Sequence, residues 1–244
     1  MARTQQPASG AARPDRLGSR VYERIKERLL QGRYTAGERI AVEDLRREFE
    51  VSRQPVMTAL HQLANEGLVE VMPQVGCRAA SYSLREVEDF FDMFGGFEGT
   101  IAAKAAVRRT DEQLERLAQI AAETEELCLE RSTDRRTSGY YRLNRRFHGL
   151  LHEMADSWVM VHASRRMWDL ADFLINTSPL GQPIGAALEE RHADHERIRR
   201  ALVTGDAQAA RAETEHHIVG TLEIIAPRKP KPATTQPVAT TTDC

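Results

Sequence analysis

Four residues in the C-terminal half are of types, and at spacings, that could hold a metal ion. Asn144 and His148 are four residues apart, so on a helix they share one face. His195 lies ten residues before Gly205, and His217 lies twelve after it. If helices flank Gly205-Asp206 as an antiparallel hairpin, a rise of about 1.5 Å per residue brings those two imidazoles to nearly the same height. Three neutral imidazoles and an amide oxygen converging from three helices suit a divalent ion: Zn²⁺ first, with Ni²⁺ and Mn²⁺ as alternatives. A plainer reading competes, because a histidine on a helix more often faces solvent or is satisfied within a core. His152, His162, His192 and His216 read that way, and His216 cannot point the same way as its neighbour His217.

A second group, near the N-terminus, has the chemistry for a different partner. Ser52 is a good N-cap for a helix running to Glu66, which puts Arg53 and Gln54 at its leading end and Thr58 one turn on. Arginine can donate two hydrogen bonds to guanine, and glutamine can pair with adenine, so such a helix end suits the major groove of double-stranded DNA. The Ser52 hydroxyl could meet a phosphate or cap its own helix. Arg46 and Arg47 precede the turn and could hold the DNA backbone. Gly76, at the tip of a hairpin, allows close approach to phosphates or the minor groove.

The elements that must position these residues follow from periodicity. Residues 1–16 read as a disordered arm. Val21, Ile25 and Leu29 mark a helix over 17–31, Leu45 and Phe49 one over 43–50, and Val56, Leu60 and Leu63 the helix over 52–66. Ile40 and Val42 form a short apolar step. Two short strands around Pro73–Gly76 complete a winged helix-turn-helix over 17–80. Residues 84–225 read as a six-helix antiparallel bundle, with helices over 84–109, 111–131, 137–155, 157–177, 183–204 and 206–225 and caps at Thr110, Ser157 and Asp206. Residues 226–244, rich in Pro, Lys and Thr, read as a disordered tail. The fold class expected is mainly α.

Composition narrows the setting. Of 244 residues 41% are hydrophobic and 29% charged, so a core can be buried, and no run of about 18 apolar residues suggests a membrane span. Met1–Arg16 has no apolar segment of a secretory signal. Cys77, Cys128 and Cys244 are too scattered for a disulfide framework or thiolate metal site, which fits a reducing cytoplasm. Residues 1–80 carry 13 basic against 10 acidic side chains, and the rest 21 against 26. That asymmetry permits DNA binding in the first third without requiring it.

The N-terminal residues resemble the GntR family of bacterial transcription regulators. The resemblance rests on Gly37-Glu38-Arg39-Ile40, Asp44-Leu45, Val51-Ser52-Arg53-Gln54-Pro55-Val56, Ala59-Leu60, Leu63 and Glu66-Gly67-Leu68-Val69. The family's usual turn proline is Ala36 here, its usual threonine is Gln54, and a second DNA-contacting arginine is Met57. The helical part resembles the FadR C-terminal (FCD) domain, in its six-helix VanR-like branch. Phe147-His148 and the 22-residue step from His195 to His217 match its metal signature, with Asn144 where aspartate is usual. The resemblance implies metal ligands Asn144, His148, His195 and His217 and a small-molecule effector, such as an organic acid, at the metal. An arginine that often binds such an acid is missing from Met93–Glu98, which implies a more apolar pocket. Arg145, Arg146, Arg165 and Arg166 are candidate replacements, or a solvated face.

Together these features imply a cytoplasmic, nucleoid-associated repressor that binds a palindromic operator as a homodimer and answers to an effector. The rivals are a metal-responsive regulator, a histidine–metal hydrolase, and a bundle that serves dimerisation alone.

Overall fold

The structure, a computed structural model, describes residues 14–177 and 183–226. The expected arm through residue 13, the 178–182 break and the tail from 227 lie outside the described residues. Helix α1 (Pro14–Leu30) starts three residues earlier than the spacing suggests and buries Val21, Ile25 and Leu29. Strand β1 (Arg39–Ile40) follows, and Val42, expected in an apolar step, instead opens α2 (Val42–Phe49). Glu50 ends α2 in the left-handed region, φ 54°, and donates its backbone N–H to the Arg47 carbonyl. Helix α3 (Arg53–Asn65) buries Val56, Ala59, Leu60 and Leu63. Ser52 sits at its N-cap with extended backbone, but its hydroxyl makes no capping bond, contrary to the cap expected.

Strands β2 (Val69–Met72) and β3 (Gly76–Ala79) form the wing. The sheet is antiparallel with β3 central: Arg39 pairs with Arg78, and Val71 with Cys77. The register puts Cys77 and Ala79 inside, where Ile40 joins them.

The rest is helical: α4 (Leu84–Arg108), α5 (Asp111–Cys128), α6 (Thr133–Ala155), α7 (Trp158–Thr177), a 3-10 turn (Ile184–Ala187), α8 (Leu188–Thr204) and α9 (Ala207–Ile225). Thr110 and Gln113 form a capping box, and Asp206 accepts from the N–H groups of Gln208 and Ala209, as expected. Ser83 with Glu86 forms a further box that the spacing had not marked. Ser132 caps α6, so that helix begins a turn before the expected Thr137. The span expected as one helix from Pro183 splits into the 3-10 turn and α8. Small residues let α4 lie close on α9: a Cβ on Gly99 would sit 3.0 Å from the Arg211 carbonyl oxygen and 2.6 Å from Glu215 Cγ.

One core runs through both units, and a second lies within the helical one. Val21, Ile25 and Leu29 of α1 cluster with Phe91 and Phe94 of α4 and Trp168, Phe173 and Leu174 of α7. Gly32, φ +67°, follows α1 where any Cβ would clash with the Asn176 carbonyl. The Asn176 side chain donates to the Leu30 carbonyl at 2.7 Å. Among the described residues no helix is long and apolar enough to cross a membrane.

Candidate ligand chamber and DNA-reading face

His148 comes from α6, His195 from α8 and His217 from α9. All three are buried, and one ligand atom of each lies within 4.8 Å of the others. The hairpin about Gly205 places the Nε2 atoms of His195 and His217 3.2 Å apart. His217 Nδ1 lies 3.2 Å from Asp194 Oδ2. The Nδ1–H therefore donates to the carboxylate, and the Nε2 lone pair faces inward, as second-shell carboxylates arrange in metal sites. Asp194 is held in turn by Arg191 at 2.7 Å and by Arg197. Phe147 stacks on His195 with ring centroids 4.0 Å apart.

Burial pushes His148 and His195 well below the usual histidine range, and the neighbouring imidazoles push further. Burial lowers His217 as well, against the pull of Asp194. Neutral imidazole is the form that binds a metal. His148 is 1% exposed, and neither of its ring nitrogens has a hydrogen-bond partner. Leaving such a group unpaired costs about 1–3 kcal/mol, so the site is built for something more than packing. Donor set, burial and the unpaired His148 fit a divalent ion. Asn144 accepts from the Tyr140 hydroxyl at 3.2 Å.

A chamber of about 50 Å³ opens beside His217. Apolar groups, among them Phe91, Phe94, Trp168 and Ile218, share its wall with Asn144 and Arg191. Phe94, from the stretch where the arginine is missing, is one of the apolar groups of this wall. The four candidate replacements lie elsewhere. Arg145 is committed to Asp169 and Asp172, Arg146 pairs with Glu123 at the surface, and Arg165 and Arg166 are exposed. The arginine in the wall is Arg191, 1% exposed, which also donates to the His217 carbonyl at 2.8 Å. It stands four residues before His195, a spacing that places it on the same helical face and could have revealed it.

The chamber is tied to the winged helix through α7. Asp172 and Asn176 line it, and Asn176 holds α1. Arg145 bridges Asp172 and Asp169, and Asp169 lies 2.8 Å from Lys26 of α1. Lys26 reaches Glu66 at the C-cap of α3, also at 2.8 Å, and Tyr22 donates to Glu66 at 2.6 Å. Burial alone would lower the Lys26 ammonium, but the bonds to Asp169 and Glu66 outweigh it and keep it charged.

On the opposite face Ser52, Arg53, Gln54 and Thr58 are all exposed at the leading end of α3. Arg53 has no ion-pair partner among the described residues. It lines a groove of about 510 Å³ with Arg39 and with Gly76 of the wing. Gly76 has φ +126° and open space at its Cβ position. Arg39 was not marked by the sequence motif as a contact, and it is likewise exposed and without an ion-pair partner among the described residues. Arg46 and Arg47 are exposed but pair along α2 with Glu43 and Asp44, so their charge is partly spent before DNA arrives.

Residues 17–78 match the family described as bacterial regulatory proteins, gntR family, and residues 89–220, more than half the chain, match the FCD domain. The chain belongs to the GntR family of regulators that carry an FCD domain. This GntR protein is 24% identical over 208 residues to the HTH-type transcriptional repressor GlaR of Escherichia coli K12, across 84% of this chain and 93% of that one. It is 26% identical over 140 residues to the repressor RspR of the same organism, across 57% and 60%. Its fold is that of E. coli McbR/YncC, with TM-score 0.71 at 17% identity over 84% of this chain and 95% of that one. The GntR protein is thus a DNA-binding transcription regulator, not an enzyme, and the hydrolase alternative is set aside.

Proposed function

We propose that this regulator is a repressor that binds a palindromic operator as a homodimer and lets go when its chamber is filled. Each winged helix reads one half-site: Arg53, Gln54 and Thr58 meet base edges, Ser52, Arg46 and Arg47 meet phosphates, and Gly76 lets the wing approach. The six long helices of the C-terminal domain suit the VanR-like branch, and two relatives are named as repressors. The reading places the protein in the cytoplasm, with its DNA.

His148, His195 and His217, with Asn144, would hold a divalent ion, Zn²⁺ being the best match to the imidazoles. Such an ion supplies a Lewis-acid position to which an effector carboxylate can bind. Arg191 adds positive charge at the wall, and Phe94 and Trp168 favour an acid with an apolar body. Closure of Trp168, Asp172 and Asn176 on the effector shifts α7, and Asp169 and Asn176 carry that shift to α1. The effector changes DNA affinity only as far as it prefers one placement of the winged helices over the other.

The observation that carries this reading is the convergence of three buried imidazoles beside a helix that grips the DNA-binding unit. The chamber's 50 Å³, room for a few waters, favours as a second reading that the ion itself is the signal. Protein purified without chelator is expected to hold about one divalent ion per subunit, with His195→Ala and His217→Ala each lowering that content while staying helical by circular dichroism. Full metal retention in both would exclude this ligand set. Release of operator by organic acids only in the metal-loaded protein supports the effector reading, and release by metal alone supports the second.

A further inference from the structure

His148 does not line the chamber beside His217. It faces a separate cavity of about 230 Å³ between α6 and α7, walled chiefly by Arg145, His148, His152, Arg165 and Trp168. No acidic side chain belongs to that wall. Arg165 is exposed on α7 and has no ion-pair partner among the described residues. The acids nearby are already engaged. Glu98 lies 2.9 Å from His152 Nε2 and accepts from Ser164, and Asp169 and Asp172 hold Arg145.

Apart from His148, two buried polar groups of this wall have no partner among the described residues: the indole N–H of Trp168, which is 4% exposed, and Nε of Arg145. Two guanidinium groups, unused donors and no carboxylate are the complement of an oxyanion, whose two or three oxygens match the arginine fork. We propose that this cavity is a second ligand site, separate from the chamber, that takes a small oxyanion through Arg165, Arg145 and Trp168. The site does not depend on the metal assignment. An anion there competes with Asp169 and Asp172 for Arg145, so occupancy also loads the Lys26 connection.

The test uses Trp158→Phe protein, in which Trp168 is the remaining tryptophan of the two in the chain. Its emission is followed while inorganic phosphate, and in a separate arm malonate, is titrated at constant ionic strength after chelation. A saturable change is expected in at least one arm, weakened tenfold or more by Arg165→Gln and largely restored by Arg165→Lys. The arm that saturates first tells phosphate from carboxylate. A change that never saturates with either anion, or equal affinity in Arg165→Gln, overturns the site. Equal affinity in Arg165→Gln with loss in Asn144→Ala would place the anion in the chamber instead, overturning this site and leaving the proposed function standing.

Discussion

At the scale of single residues, the three histidines make the protein sensitive to acid. Each has a folded value below the 6.5 of a free imidazole, burial being the main cause. Their contribution is complete above about pH 6.5 and is lost as pH falls below it, by about 1.4 kcal/mol per pH unit for each ring still neutral in the fold. Asp172 works the other way. Burial raises its carboxyl to about 6 despite Arg145, so it adds stability as pH falls from there towards 3.8. One carboxyl does not offset three imidazoles. Urea unfolding of chelator-treated protein is expected to give lower stability at pH 5.5 than at 7.5, and equal or greater stability at 5.5 would contradict neutral burial of the three rings. His195 and His217 were legible because counting outward from Gly205 fixes their heights. Asp194 was not, because its role is set by the rotation of His217, which sequence spacing does not report. Arg191 could have been read from its four-residue offset, but a buried unpaired-looking arginine has no motif of its own.

At the scale of elements, α7 is the member that both units share. One side of it closes the chamber with Trp168, Asp172 and Asn176, and another meets α1 through Asp169. The Lys26–Asp169 pair is half-sheltered, with side chains 15% exposed on each partner, so it is screened less than a surface pair. If it transmits the chamber's state, Asp169→Asn should shrink the ratio of operator affinities measured with Zn²⁺ and with chelator by fivefold or more, in the range typical of coupling between sites. An unchanged ratio would remove Asp169 from the route. The winged helix itself was legible, since apolar spacing and Gly or Pro punctuation mark each element. Its boundaries moved by a few residues where caps decided: Ser132 lengthened α6, while Ser52 occupies a cap position without bonding there. The cross-domain pair was invisible to periodicity, because an exposed-looking lysine and aspartate more than a hundred residues apart carry no local signal.

At the scale of the whole molecule, the proposed reading gives the leading end of α3 to DNA and the three-histidine site of the helical domain to a metal, with the two domains joined through a shared core. Arg53, Arg39 and Gly76 present free charge and close approach on one face, while the fixed contacts of Lys26 and Asn176 keep that face answerable to the helical domain. Everything regulatory presupposes that the face reads sequence. The direct measurement is selection of full-length protein against a randomised pool of duplex DNA, followed by affinity measurements on the enriched sequence over a range of salt. A two-fold symmetric sequence is expected, with affinity falling steeply as salt rises, and Arg53→Ala should cost about 1–3 kcal/mol and relax one position in each half-site. Enrichment of no sequence, or an Arg53→Ala protein that binds the same sequence as tightly as the parent, would contradict the account.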